Sequence, residues 1–130
     1  MNNIFVDSSA WIEYFKGNKD YEFLKNLIVN NTICTNDIIL TELLPSIIHR
    51  KEVHLAELLN SLRKYILLID WQDIRNIQIS NLKHGNNHIG VADIIIVQNC
   101  IQNNLKIISH DNHFRAMEKY IPLEFYKLFY

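Results

Sequence analysis

The chain has 130 residues, of which 48% are hydrophobic and 21% are charged, and its formal net charge is −1. This length and balance are typical of one globular domain that buries a sizeable core, so we predict a single domain over residues 1–130. The small net charge excludes a generally basic nucleic-acid-binding coat, although a local basic face is compatible with it.

The first half of the chain alternates short strand-forming runs with segments of helical periodicity. The runs at residues 3–6 and 32–35 predict strands, because each is short and ends in polar residues. Apolar residues at helical spacing predict helices in the segments that follow. These predicted helices cover residues 8–15, 21–29, 37–49 and 51–63.

The second half continues the same alternation. We predict strands at residues 65–69 and 105–109, and an edge strand from Leu123 onward. Between and after them, helical spacing predicts three helices and a polar loop. The helices cover residues 72–83, 91–102 and 114–120, and the loop covers residues 83–90.

One of these helices is ambiguous, because the segment ADIIIVQNC at residues 92–100 is rich enough in β-branched residues to form a strand. A strand there would leave only a short turn before the next strand. A helix buried nearly all round also explains the apolar run and keeps the β-α-β alternation. The fold prediction is therefore α/β, a three-layer α/β/α sandwich with a mostly parallel central sheet.

Targeting and redox features predict a cytoplasmic protein. No apolar run is long enough to span a membrane, and the N-terminus lacks the basic segment and apolar stretch of a signal peptide. The chain has two cysteines, Cys34 and Cys100, and no CxxC pair. A disulfide framework or a zinc site is therefore not expected.

Acidic residues occur where this fold brings the ends of its strands together. Asp7 directly follows the first strand, and Asp111 follows the strand that ends near Ser109. Glu42 lies in the helix after the second strand, and Asp93 lies near the start of the apolar helix. The carboxyl ends of parallel strands form one rim of the sheet, where ligands bind in open α/β folds. We expect all four carboxylates at that rim.

Each of these acids also has a purely structural explanation. Asp7 and Asp111 are good cap or turn residues, and Asp93 complements a helix dipole. Glu42 would need a Lys or Arg partner if it were buried. Four carboxylates at one rim repel each other unless cations neutralise them. Mg²⁺ and Mn²⁺ prefer such oxygen ligands, and no zinc-spaced set of His and Cys competes for the role.

Four motifs contain these acids: FVDSSAWIEYF with Asp7, ILTELL with Glu42, GVADIIIVQNC with Asp93 and ISHDNHF with Asp111. In this order and over nearly the whole chain, they make it resemble PIN-domain ribonucleases, specifically the small VapC-type toxins of bacterial toxin–antitoxin pairs. The resemblance implies a metal-dependent endoribonuclease whose four acids hold one or two Mg²⁺ or Mn²⁺ ions. It also implies a cognate antitoxin, and Ser9 and Ser109 match hydroxyl positions that support the site.

The chemistry of RNA hydrolysis suggests individual roles. We expect Asp7, Asp93 and Asp111 to bind metal directly or through water, and Glu42 to bind metal or to orient the attacking water. Ser9 and Ser109 would fix the carboxylates from behind, or would simply form cap and turn hydrogen bonds.

Two further expectations concern partners. Lys83 and Arg115 are candidate contacts to RNA phosphates, because they lie in or beside loops near Asp93 and Asp111. The resemblance implies a homodimer, and we place its contact on the first helix around Trp11 and Tyr14, although burial is the ordinary fate of such aromatic residues.

Other classes remain as alternatives. A phospho-receiver domain would need a second acid beside Asp7 and a strand-end Lys, and an aspartate-dependent phosphatase would need Asp-x-Asp where Asp7 is followed by Ser8. A PIN-like RNA-binding or scaffold protein without catalysis is the stronger rival. An RNA-maturation nuclease would use the same acids outside a toxin–antitoxin pair.

Overall fold

The computed structural model describes residues 2–127. Within this range the chain forms five short strands and seven α-helices. The strands are β1 (Ile4–Val6), β2 (Ile33–Thr35), β3 (Arg63–Lys64), β4 (Lys106–Ile108) and β5 (Glu124–Phe125). The helices are α1 (Ser8–Phe15), α2 (Leu24–Val29), α3 (Asp37–His49), α4 (Val53–Ser61), α5 (Trp71–Lys83), α6 (Val91–Gln102) and α7 (Asn112–Met117). A 3-10 turn at Lys19–Tyr21 precedes α2.

The strands form one sheet in the order β3-β2-β1-β4-β5, and every neighbouring pair is parallel. The central strand β1 is buried along its whole length, with Phe5 between Cys34 of β2 and Ile107 of β4. A parallel strand covered on both faces needs such a continuous apolar run. The prediction of a mostly parallel sheet is confirmed.

Helices cover both faces of the sheet. The chain moves from β1 towards β3 through α1 to α4, and then from β3 across to β5 through α5 to α7. Right-handed crossovers therefore put α1 to α4 on one face and α5 to α7 on the other. Accordingly, α3 packs on α1 and α4, and α5 packs on α6. The predicted three-layer arrangement and the helix at residues 91–102 are both confirmed.

The prediction of a strand at residues 65–69 is wrong. The ladder with β2 involves only Arg63 and Lys64. The Tyr65 backbone N–H still donates to the Thr35 carbonyl at 2.9 Å, and no strand pairs with residues 66–69. Two amide side chains of α6 bond this segment instead: Asn99 Nδ2 donates to the Ile66 carbonyl at 3.2 Å and Gln102 Nε2 donates to the Leu68 carbonyl at 2.9 Å. The residues are extended, but α6 takes the place of a neighbouring strand.

Some element boundaries also differ from the prediction. The helix predicted at residues 51–63 is only Val53–Ser61, because Lys51 has a φ of 59° and cannot continue a right-handed helix. The helix predicted at 21–29 is divided into the 3-10 turn and α2. The last helix begins earlier than predicted, at Asn112, because Asp111 caps it. The tail strand is confirmed as β5, and its predicted continuation past residue 127 lies outside the described residues.

The first helix does not offer Trp11 to a partner. Trp11 is fully buried and stacks on Phe15 with ring centroids 5.5 Å apart, so it belongs to the core of the monomer. The predicted dimer contact is wrong at this residue, and Tyr14 is also packed against the core. Among the described residues, no helix has the length and apolar character needed to cross a lipid bilayer.

Candidate active site

Asp7 stands at the carboxyl end of β1, where the chain turns into α1. Its backbone has the extended conformation of a helix N-cap, but its side chain accepts no cap hydrogen bond. Instead, Asp7 Oδ2 accepts hydrogen bonds from Ser9 Oγ at 2.7 Å and from Ser109 Oγ at 2.9 Å. The carboxylate is buried, with 4% of the residue exposed. A plain cap role therefore does not explain this residue.

The two serines form a connected group behind Asp7. Their hydroxyls lie 3.2 Å apart, and the Ser109 hydroxyl also accepts from the Asp111 backbone N–H at 2.9 Å. Ser9 Oγ accepts from the backbone N–H of His110 at 3.0 Å. Hydrogen bonds from α1 and from the loop after β4 thus orient the same carboxylate, in the way that outer groups orient metal ligands.

Glu42 comes to the rim from the side of α3. Its Oε1 accepts a hydrogen bond from Ser8 Oγ at 2.8 Å. The residue is exposed, and no Lys or Arg of the described chain forms an ion pair with it. The salt bridge that would give Glu42 a purely structural role is therefore absent among the residues described, and a serine hydroxyl is its partner instead.

Asp93 and Asp111 are joined by an imidazole. His113 Nδ1 lies 3.2 Å from Asp93 Oδ2 and 3.5 Å from Asp111 Oδ1. Asp93 is in the first turn of α6, and Asp111 Oδ1 also accepts from the His113 backbone N–H at 2.9 Å as the N-cap of α7. Asp111 is thus an N-cap, as one interpretation of the sequence predicts. The same Oδ1 also lies near the imidazole that contacts Asp93.

Electrostatic repulsion connects all four carboxylates, which we call the acid cluster (Asp7, Glu42, Asp93 and Asp111). Desolvation raises the pKa of Glu42, and the charges of Asp7 and Asp93 raise it further against the hydrogen bond from Ser8. Desolvation also raises the pKa of Asp93, with Asp7 and Asp111 adding to the effect and His113 opposing it. The structure therefore brings the four predicted acids to one rim.

The donor atoms of this rim suit a hard divalent cation. Asp93, Asp111 and His113 each offer one ligand atom, and these atoms all lie within 4.8 Å of one another. Carboxylate oxygens are the preferred ligands of Mg²⁺ and Mn²⁺, and a cation would offset the repulsion that raises the pKa values of Asp93 and Glu42.

The two predicted RNA-contact residues occupy different positions. Arg115 lies on α7 with its guanidinium carbon 3.8 Å from the centre of the Phe125 ring, and it shares a cavity wall with Ser109. Lys83 is exposed at the last residue of α5. Gln78 Nε2 of α5 donates to the Ile89 carbonyl just before α6 at 2.9 Å. The C-terminal part of α5 therefore lies beside the start of α6.

Sequence reasoning did not find two contributors to the site. His113 links Asp93 and Asp111, although the sequence does not predict it at the site. Ser8 holds Glu42, and the sequence does not predict this contact either. The only signal in the sequence was their adjacency to acidic motifs, because the contacting side chains come from separate elements.

The PIN domain model matches residues 4–120. The fold is similar to that of a chain in the crystal structure of VapBC2 from Rickettsia felis bound to a DNA fragment from their promoter, with a TM-score of 0.71, 18% identity and coverage of 95% of this chain and 96% of that chain. No curated protein matches the sequence significantly.

The family match covers all four acidic motifs and nearly all of the described fold. The structural similarity extends over almost the whole length of both chains and supports the same fold at low sequence identity. The sequence motifs, the parallel sheet and the acid cluster at its carboxyl rim agree with both comparisons. The chain therefore belongs to the PIN domain family.

Proposed function

We propose that this chain is a Mg²⁺- or Mn²⁺-dependent endoribonuclease and that it is the toxin of a type II toxin–antitoxin pair. The observation that carries the nuclease assignment is the acid cluster, in which burial and the charges of neighbouring carboxylates raise the pKa of Glu42 and of Asp93 at one rim of the sheet. A scaffold protein has no need of such a repulsive arrangement. The motif resemblance to VapC-type toxins and the fold shared with a chain of VapBC2 support the toxin assignment.

Metal would be held by Asp7, Asp93 and Asp111, with Glu42 and His113 beside them. When bound, a divalent cation supplies Lewis acidity at the phosphate oxygens and lowers the pKa of water. Ser9 and Ser109 keep Asp7 in one orientation through their hydrogen bonds to Oδ2. This leaves Asp7 Oδ1 as the oxygen to which neither serine donates.

Glu42 is suited to orient and deprotonate the attacking water. Ser8 Oγ donates to its Oε1 at 2.8 Å, which restricts the movement of the carboxylate. Its raised pKa makes it a better proton acceptor than an ordinary surface carboxylate. The alternative role as a metal ligand uses the same position.

RNA and protein partners complete the proposal. Arg115 and Lys83 would contact phosphates of the RNA, since cations near the acid cluster must offset its repulsion of the substrate. An antitoxin would neutralise the nuclease, and the chain would pair with itself as VapC-type toxins do. These partners follow from the family resemblance, which the shared fold supports.

RNA cleavage under controlled metal conditions tests the proposal. Purified protein is incubated with a single-stranded RNA in EDTA, and then with an excess of Mg²⁺ or Mn²⁺ over the chelator. We expect no cleavage in EDTA and recovery of internal cleavage with either metal. Equal cleavage in EDTA would contradict a metal-dependent site, and no cleavage under any metal condition would favour the non-catalytic RNA-binding alternative.

A further inference from the structure

A cavity of about 380 Å³ opens beside the acid cluster. Its wall includes Ser109 and His110, and Ser109 Oγ donates to Asp7 Oδ2 at 2.9 Å. The cavity is therefore continuous with the rim at which we place RNA cleavage. Its volume falls within the range of about 300–1,000 Å³ that is usual for pockets taking small organic groups.

Aromatic rings form much of this wall. Phe23 and Tyr126 are nearly parallel, with ring centroids 6.1 Å apart and an interplanar angle of 2°. Tyr21 continues the row at 6.2 Å from Phe23, and its hydroxyl lies 2.8 Å from His110 Nδ1. Flat aromatic faces are the surfaces on which proteins stack unpaired nucleic-acid bases.

Polar and charged groups accompany the rings. The guanidinium carbon of Arg115 lies 3.8 Å from the centre of the Phe125 ring, which places this exposed cation at the cavity wall. Asp20 also lines the cavity, and an aspartate carboxylate can accept from the N–H groups of bases. A mixture of rings, one cation and one acceptor matches a nucleobase better than an apolar peptide side chain.

We propose that this cavity binds an unpaired base of the RNA substrate, adjacent to the phosphate at the acid cluster. The inference rests on the proposed nuclease function, because that function brings RNA to the neighbouring rim. Duplex RNA cannot place a base there without unpairing it, so the cavity selects single-stranded RNA. Stacking also makes one nucleotide position more important for binding than the others.

A series of abasic RNAs tests this inference through binding rather than cleavage. The probes are fluorescein-labelled single-stranded RNAs of one sequence, each with a single abasic nucleotide placed one position further along. Fluorescence anisotropy is measured with the Asp93→Asn protein, which we expect to bind RNA without cutting it. We expect the affinity to fall about 10-fold when the base at one position is missing, within the range for loss of a stacked base.

Variants then assign that position to the cavity. In Tyr21→Ala and in Arg115→Gln, each made in the Asp93→Asn protein, the difference in affinity between the abasic RNA and the intact RNA should shrink, because a ring of the base contact or the cation beside it has been removed. Arg50→Gln is the matched control. Arg50 is 57% exposed and 3.7 Å from Glu52, while Arg115 is 59% exposed and 3.5 Å from Glu118. Arg50→Gln should keep the full position-specific loss.

The outcomes separate this inference from the proposed function. Equal affinity for every abasic RNA, or a position-specific loss that persists in full in both cavity variants, would overturn the base-binding cavity; the surface would then be open to a protein partner instead. Circular dichroism establishes that each variant is folded, and Arg115→Gln keeps the test valid if Tyr21→Ala unfolds. A position-specific loss in a protein whose wild type never cleaves RNA would support the cavity and reject the nuclease.

Discussion

Ser109 is the single residue through which the loop after β4 reaches Asp7. Its hydroxyl donates to Asp7 Oδ2 and accepts from the Asp111 backbone N–H, each at 2.9 Å. We predict that Ser109→Ala lowers the free energy of unfolding by about 1–3 kcal/mol, because a buried carboxylate loses a donor and an amide loses its acceptor. Urea denaturation measures the change.

The matched variant is Ser109→Thr, which keeps the hydroxyl and should lie within about 1 kcal/mol of the wild type. Ser109→Ala should also reduce cleavage about 10- to 100-fold, as is usual for groups that orient metal ligands. Wild-type stability and activity in Ser109→Ala would show that the serine forms only a turn.

Asp93 makes the metal-free protein depend on pH. Desolvation raises its pKa, and repulsion from Asp7 and Asp111 raises it further against the hydrogen bond from His113. A carboxyl with a higher pKa in the folded state contributes stability at low pH, and this contribution is lost as the pH rises through the folded pKa. In EDTA, Asp93→Asn should therefore be more stable than the wild type at about pH 7, with the difference shrinking towards about pH 4.

Denaturation curves at several pH values in EDTA measure this difference. Excess Mg²⁺ or Mn²⁺ should reverse it, because only the wild type gains the full free energy of metal binding. A wild-type protein that is more stable than Asp93→Asn at neutral pH in EDTA would contradict the repulsion described here.

At the scale of secondary-structure elements, Asn99 connects α6 to the N-cap residue of α3 and to the segment after β3. Asn99 Oδ1 accepts from Asn36 Nδ2 at 3.0 Å, and its Nδ2 donates to the Ile66 carbonyl at 3.2 Å. Asn36 in turn caps α3 at the Ile39 N–H. Because Asn99 is only 2% exposed, we predict that Asn99→Leu destabilises the protein by about 2 kcal/mol or more.

Gln102→Leu provides the control for this prediction. Gln102 also donates to the segment after β3, at the Leu68 carbonyl, but it does so at the exposed surface. Water replaces that bond, so we expect a change below about 1 kcal/mol in urea denaturation. Equal effects of the two variants would contradict a buried role for Asn99.

The same helix shows which elements sequence periodicity predicts well. The all-round apolar character of residues 91–102 predicts α6, because a strand there would leave only a short turn before β4 and would break the β-α-β alternation. The prediction of a strand at residues 65–69 is wrong because this short, continuous apolar run resembles a buried strand. Its partners are amide side chains of α6, and no local pattern distinguishes those from a neighbouring strand.

The candidate site could also be predicted from the sequence only in part. The positions of Asp7, Glu42, Asp93 and Asp111 could be predicted because strand ends in a parallel sheet share one rim. The partners of these acids could not, since Ser8 and Glu42 are 34 residues apart and Asp93 and His113 are 20 residues apart. Such pairs depend on how helices pack, and the periodicity of a single segment carries no information about that.

At the scale of the whole molecule, exposed apolar side chains indicate where a second copy would bind. Ile66, Leu68 and Trp71 are 73%, 71% and 54% exposed within one short segment. Trp11 is buried, so we now place the dimer contact on this segment rather than on the first helix. We predict a homodimer that becomes monomeric in Leu68→Glu.

Light scattering on the purified protein without antitoxin measures this association. Val29→Glu is the control, since Val29 is 75% exposed on α2 and lies outside the segment. It should remain dimeric with the same added charge. A wild type that is monomeric at high concentration would contradict the dimer, and equal dissociation by both variants would contradict its location.

A matched pair of substitutions tests most directly whether the acid cluster catalyses RNA cleavage. Asp93 and Asp37 are both aspartates in the first turn of a helix, but Asp37 is 61% exposed and pairs with Lys64 at 3.2 Å. Asn keeps the size and helix-capping ability of Asp at either position. A purely structural role would therefore make both substitutions mild.

The measurement is the rate of cleavage of a single-stranded RNA in Mg²⁺ or Mn²⁺. We predict that Asp93→Asn loses more than about 100-fold in rate, beyond the usual effect of a residue that only supports a ligand, while its circular dichroism spectrum stays that of the wild type. Its RNA affinity should be retained or increase, because one negative charge has been removed. Asp37→Asn should cleave RNA like the wild type. Full cleavage by Asp93→Asn would contradict the assignment of the acid cluster as the active site.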